Sequence, residues 1–279
     1  LPPGEGITDI SGMIKSRIGT AIHDAIERAW ISEALPQTLT NLGLASKNVN
    51  RILVNPETLP EGKPVIPVYL EKRSERTIMG FKVTGKFDFI ADGRVHDFKT
   101  TSTFAYTSGN KDDDYILQGS IYRWLNPDII TDDRMSIIFI FTDWNKNRYL
   151  SARDTYPPAQ ITTRDFDLLP EATVQKYVEN KLSELIACEN LPEPELPLCT
   201  DKELWRKEDV YKYYKDPMKT GRSTRTVETM REAQEIFVAD GSVGRIDTVK
   251  GQVQACLYCS GFSLCSQKDA LIEAGELKI

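Results

Sequence analysis

The sequence predicts an α/β core followed by a small cysteine-bearing extension. Helix-like and strand-like patterns run in the order helix, strands, helix, strand through the first part of the chain. A proline-rich break follows: Leu191-Pro192-Glu193-Pro194-Glu195-Leu196-Pro197 cannot be helical and reads as an extended linker. Beyond it, three cysteines fall within ten residues. The expected division is a core over 1–190 and an extension over 191–279, packed on the core.

Residues 11–34 read as a helix, because Ile14, Ile18, Ile22, Ala25, Ile26 and Ala29 recur at helical spacing. Residues 35–64, rich in Pro, Asn and Gly, read as irregular. Strand-like patches follow at Val65 to Leu70 and Thr77 to Lys86, then two strands around a turn. Residues 113–126 read as a helix and Ser136 to Phe141 as a buried strand. Asn147 to Ala152 is expected to pair with that strand across an Asn145-Lys146 turn. Residues 165–188 form a second long helix candidate. The extension holds one helix candidate, 226–238. There is no internal repeat and no low-complexity tract.

The chain has 279 residues, 40% hydrophobic and 27% charged, which suits a soluble globular protein with a sizeable core. No run approaches the roughly 20 apolar residues of a membrane span, so no membrane association is expected. Leu1-Pro2-Pro3-Gly4 carries no secretion signal and no starting Met, so upstream residues and a cytoplasmic location are expected. The formal net charge of −6 disfavours broad nucleic-acid affinity. An enzyme that turns over can still keep a basic groove, and metal-holding carboxylates add to the negative count. Five cysteines, an odd number, argue against a disulfide framework and for a metal or cluster site in a reducing compartment.

The most informative stretch runs from Gly85 to Lys99. Asp92-Gly93 is a two-residue hairpin signal, since a type I′ turn needs positive φ at both positions. With those two as the loop, Ala91 faces Arg94, Ile90 faces Val95 and Asp88 faces Asp97. Directly opposed residues sit about 4.5–5.5 Å apart at Cβ and share a face. Two carboxylates thus stand side by side, with Lys99 further along the same face. Phe87, Phe89 and Phe98 are expected to point the other way, with His96. Opposed like charges weaken a ladder, and a divalent cation between them removes the conflict.

Two helices supply companions. His23 and Glu27 are four apart on the first helix, as Gln118 and Tyr122 are on the helix after the hairpin. Each element alone is ordinary amphipathicity or a solvated face. In chain order, Gly19-Thr20-x-x-His23, Gly85-x-x-Asp88, Asp97-x-Lys99 and Gln118-x-x-x-Tyr122 resemble the RecB-like branch of the PD-(D/E)XK nuclease superfamily over roughly residues 15–150.

That resemblance implies a restriction-endonuclease-like core, a central mixed sheet flanked by helices, and metal-dependent DNA hydrolysis. It implies that His23, Asp88, Asp97 and the carbonyl of Phe98 hold one or two Mg²⁺ or Mn²⁺ ions. Lys99 then orients or activates the attacking water, while Gln118 and Tyr122 support the site and touch the DNA backbone. The chemistry agrees: phosphodiester hydrolysis needs charge neutralisation, an available nucleophile and a stabilised leaving oxygen. Lysine can donate to the developing charge or, with a depressed pKa, act as a base.

Cys256-x-x-Cys259 followed by Cys265 places thiolates at metal-sharing distance. Cys199 is the first choice for a fourth ligand and Cys188 the second. The spacing resembles the iron–sulfur staple of AddAB-type and CRISPR-adaptation nucleases, here in a form that looks phage-encoded. There the first cysteine precedes the nuclease motifs; here none precedes Cys188, so Cys199 replaces it, an upstream residue held it, or the site is zinc. A 4Fe–4S cluster is favoured over Zn²⁺.

Residues 202–225 hold eight Lys or Arg against four Asp or Glu, interleaved with Trp205, Tyr211, Tyr213 and Tyr214. Cations with aromatics suit single-stranded DNA; a solvated helix and loop is the bland alternative. Lys219 to Arg225 reads as a mobile phosphate-contacting loop. The function expected is therefore an exonuclease or end-processing nuclease of recombination, replication or repair, acting on single strands or duplex ends. A helicase or recombination partner fits that role. The alternatives are a nuclease fold that binds DNA or a partner without cutting, and a metal-stapled interaction domain.

Overall fold

The computed structural model describes residues 10–279, and these divide into two compact units, residues 10–186 and Ala187–Ile279. The N-terminal unit opens with α1 (Ile10–Trp30), α2 (Leu35–Asn41) and α3 (Ser46–Val49). Then come β1 (Ile52–Val54), β2 (Ile66–Leu70), β3 (Arg73–Ile78), β4 (Phe81–Lys86), β5 (Phe89–Ala91) and β6 (Arg94–Thr101). It continues with α4 (Thr103–Ser108), α5 (Asp112–Leu125), β7 (Arg134–Phe141), α6 (Lys146–Ser151), β8 (Ile161–Asp167) and α7 (Glu171–Cys188).

Six strands form one mixed sheet in the order β1-β2-β5-β6-β7-β8. β1–β2 and β6–β7 are parallel, and the other neighbours are antiparallel. The unit is thus α/β, with a mixed central sheet flanked by helices. The parallel β6–β7 step needs a crossover, supplied by α4 and α5. One sheet face buries Ile90, Val95, Ile137, Phe139 and Phe141 with Tyr115 of α5. The other buries Val68, Leu70 and Phe89 with Phe98 and with Trp30 of α1.

Phe139 is fully buried, with Tyr106, Tyr115 and Phe141 ring centroids 5.1, 6.0 and 6.1 Å away. Phe139→Ala is expected to destabilise the unit by about 3–5 kcal/mol. A urea titration checks this, and a loss under about 1 kcal/mol would mean the cavity collapses freely.

Several expectations need correction. Asn147 to Ala152 does not pair with β7; it lies largely in α6, because Asn145 caps that helix by accepting from the amides of Asn147 and Arg148 (2.9 and 3.1 Å). The antiparallel partner of β7 is β8, whose alternating burial belongs to a strand, so the second long helix begins at Glu171 rather than 165. Thr77 to Lys86 is not one strand but the end of a separate β3–β4 hairpin, turning at Met79 and Gly80 with φ of 52° and 82°. Methionine is an unusual choice for positive φ, so the turn was hidden. Residues 35–64 contain two short helices and β1.

The exposed face of α1 also differs. Ile14, Ile18, Ala25 and Ala29 face solvent, while Ile22, His23, Ile26, Glu27 and Trp30 are half-buried. The helix docks through aromatic contacts: Trp30 meets Phe89 at 5.0 Å and His23 meets Phe98 at 6.2 Å.

The C-terminal unit contains β9 (Val210–Tyr214), β10 (Arg225–Val227), α8 (Met230–Ala239), β11 (Arg245–Val249) and α9 (Ser266–Glu273). Its antiparallel sheet has the order β10-β9-β11. Neither the sheet nor α9 was legible beforehand. Thr229 and Glu232 close a capping box at the start of α8. Leu204, Val253, Cys256, Leu271 and Leu277 form this unit's apolar cluster. Among the described residues no helix is long and apolar enough to cross a membrane.

Candidate active site

The β5–β6 hairpin turns through Asp92 and Gly93 at φ of 50° and 84°, with Ala91 opposite Arg94 and Ile90 opposite Val95. This register continues toward Asp88 and Asp97. The chain breaks between β4 and β5, however, and Phe87 does not follow the alternation. It joins the core on the face of Ile90 and Val95, 6.5 Å from the Tyr122 ring. Phe89 and Phe98 lie on the other face, where His96 packs on Phe89 at 5.6 Å.

His23 reaches this hairpin from α1. Its Nε2 lies 2.9 Å from the carbonyl oxygen of Phe98, and its Nδ1 lies 3.4 Å from Asp88 Oδ2. The Phe98 carbonyl, expected as a metal ligand, here contacts the imidazole. Glu71 comes from the turn after β2 at φ of 51° and pairs with Lys86. Ligand atoms of His23, Glu71 and Asp88 all lie within 4.8 Å of one another. Glu71 escaped sequence reading because its neighbours say nothing of the hairpin, although Glu71 N donates to Asp88 O at 3.0 Å. Its only local signal is an acid directly after an apolar strand.

Asp97 stands beside this group, 1% exposed. Burial raises its pKa against the pull of Lys99, and Asp88 adds to the rise. Its Oδ2 lies 2.7 Å from Lys99 Nζ but accepts no well-aligned hydrogen bond. Lys99 also donates to Gln118 Oε1 at 3.2 Å, and Gln118 donates to Tyr122 Oη at 2.8 Å. Tyr115, unforeseen, faces the Lys99 ammonium at 5.5 Å. Burial pushes the Tyr122 phenol up to about 12, so it remains a hydrogen-bonding group rather than an anion.

Gly85 has a clear reason. A Cβ there would sit 2.7 Å from Leu125 Cδ1 and 3.4 Å from the Tyr122 ring, so glycine lets α5 approach. A Cβ at Gly19 would meet nothing within 4 Å, so packing does not explain that glycine.

The two histidines should titrate far apart in the metal-free protein. Hydrogen bonding to Asp88 raises His23 from 6.5 to about 9, while burial lowers His96. The His23 contribution to stability is fully present below pH 6.5 and lost as pH rises through about 9. Histidine NMR resolves both, and added Mg²⁺ should depress the His23 midpoint because a ligating imidazole is neutral. A His23 midpoint near 6.5 in the metal-free protein would mean the Asp88 contact does not form.

In the C-terminal unit, Cys199 and Cys256 lie within electrostatic reach of each other and each of Cys259 and Cys265. Burial raises the Cys199 and Cys256 thiols, and the neighbouring cysteines add to both rises. Gln267 holds the Cys199 backbone from both sides, accepting from its N and donating to its O at 2.8 and 2.9 Å. Cys265 Sγ caps α9 by accepting from Lys268 N at 3.3 Å. Among the described residues, no three sulfurs come within 4.8 Å of one another. Cys188 ends α7.

The basic aromatic stretch divides. Tyr213 and Tyr214 are buried and cannot stack on bases. Trp205 is 58% exposed and meets the exposed Tyr258 at 5.9 Å. Residues 210–214 form β9 rather than a helix or loop.

No known sequence family and no curated protein matches this chain. A solved structure described as the crystal structure of SSO0001 aligns with 61% of this chain and 69% of its own, at 19% identity and a TM-score of 0.29. A likeness of that size carries no argument about fold or function.

Proposed function

We propose that the chain is a Mg²⁺- or Mn²⁺-dependent deoxyribonuclease with a RecB-like PD-(D/E)XK centre, an exonuclease or end-processing enzyme of DNA recombination, replication or repair. The observation that carries this reading is the convergence of His23, Glu71 and Asp88 beside the buried Asp97–Lys99 pair. The donor set fits a hard divalent cation: the imidazole of His23 and the carboxylates of Glu71 and Asp88 offer ligand atoms within 4.8 Å of one another, and the carboxylate of Asp97 stands beside them, buried and paired with Lys99. His23, Glu71, Asp88 and Asp97 would hold it. When bound, the ion supplies charge neutralisation at the scissile phosphate and a more acidic water.

The side chains divide the remaining work. Lys99, held by Asp97 and Gln118, presents a cation to the charge that develops on phosphorus oxygens. Gln118 and Tyr122 fix where that ammonium points. The test is hydrolysis of end-labelled single- and double-stranded DNA with Mg²⁺ or Mn²⁺. Activity should vanish with EDTA and return with either metal; undiminished hydrolysis in EDTA, or none with either metal, overturns the reading.

We further propose that Cys199, Cys256, Cys259 and Cys265 bind a 4Fe–4S cluster. A tetrahedral zinc with bonds of about 2.3 Å needs sulfurs only about 3.8 Å apart. No three of these sulfurs come that close among the described residues, so the reading rests on the sequence spacing of Cys256, Cys259 and Cys265 and on a cluster taking its thiolates on different irons.

A further inference from the structure

We infer that the loop joining β9 to β10 is a contact for the phosphodiester backbone of DNA. This rests on the reading of the chain as DNA-acting and adds a binding site to it. From Lys212 to Arg225 the chain carries Lys212, Lys215, Lys219, Arg222 and Arg225 against a single acid, Asp216. That concentration stands out in a chain of net charge −6.

The loop's form is held without using those cations. Asp216 is occupied by the turn, its carboxylate accepting from Met218 N at 2.9 Å. Arg245 reaches over from β11 and donates to the carbonyls of Pro217 and Lys219 at 2.7 and 3.2 Å, stacking above Tyr214 at 4.6 Å. Lys215 N donates to Thr224 Oγ1 at 3.0 Å, and Thr224 N donates to Tyr213 O at 2.9 Å, so both ends of the loop are tied. Tyr213, fully buried, anchors the strand beneath. The loop expected to be mobile is therefore braced.

Lys219, Arg222 and Arg225 are exposed and, among the described residues, have no carboxylate at ion-pair distance; Lys215 has there only an exposed contact to Asp240 at 3.4 Å. Other cations, such as Arg94, Arg134, Arg164, Arg206 and Lys250, each face an acid; what marks the loop is the grouping of its cations in one tied segment. A braced backbone that presents unpaired cations suits a polyanion, because each phosphate neutralised releases counterions.

The test is anisotropy binding of a fluorescent thymidine oligonucleotide and of a duplex, in EDTA, across a salt series. The comparison is between the parent and the combined Lys215→Gln, Lys219→Gln, Arg222→Gln and Arg225→Gln variant. The slope of log affinity against log salt should fall by about 3 for the single strand and up to about 4 for the duplex. Arg222→Gln alone, at an exposed position, should lower it by about 0.7–0.9; it serves if the combined variant fails to fold. An unchanged slope on both DNAs overturns the proposal. If the parent does not hydrolyse DNA, the nuclease reading fails while the salt slope still reports on the loop.

Discussion

Replacing Asp97 by asparagine is expected to remove metal-dependent DNA hydrolysis while leaving the metal-free protein at least as stable as the parent. Removing a group that merely supports a metal ligand typically lowers activity about 10–100-fold, so losing a proposed ligand should exceed the upper end of that range. Lys99→Ala should lower kcat by about 10²–10⁴, the range for a positioned proton-transfer or charge-donating group. Stability should move in the opposite direction. Burial raises the Asp97 pKa above 3.8 and Lys99 does not cancel that rise. The native state therefore disfavours the ionised form, and the Asp97 contribution to the stability of the metal-free protein falls as pH climbs past 3.8. Asparagine carries no charge and escapes that loss. Single-turnover cleavage and thermal melting in EDTA check both halves. Cleavage near the parental rate in Asp97→Asn would remove the assignment even if the protein cuts DNA.

The second large effect concerns the cysteines. Anaerobically purified protein should show visible charge-transfer absorbance and about four irons per chain. Cys199→Ser should lose both, whereas Cys188→Ser should keep both. The reason is positional: Gln267 ties Cys199 to the start of α9, directly after Cys265, and Cys199 raises the Cys256 thiol. A single zinc per chain with no visible absorbance would replace the cluster by a metal ion. Loss of iron in Cys188→Ser with retention in Cys199→Ser would exchange their roles.

Some of this arrangement was written locally. The Asp92-Gly93 turn sets the β5–β6 register, because positive φ at two successive positions leaves one pairing for the strands it joins. The i, i+4 spacing of Gln118 and Tyr122 likewise gives their hydrogen bond directly. The close spacing of Cys256, Cys259 and Cys265 keeps them neighbours by chain length alone.

Other features depended on segments far apart in the chain. Glu71 enters the site through the strand order that sets β2 beside β5. Phe87 changes face because the chain leaves one sheet and enters another between β4 and β5. α1 turns a different face inward because Trp30 and His23 find aromatic partners on the sheet. Tyr213 and Tyr214, adjacent to basic residues, are withdrawn from solvent by a sheet that periodicity did not reveal. Turns, helical spacing and short cysteine spacings are local geometry, so the residues determine them alone. Which face is buried, and which distant acid joins the group, is decided by the packing of whole elements against one another.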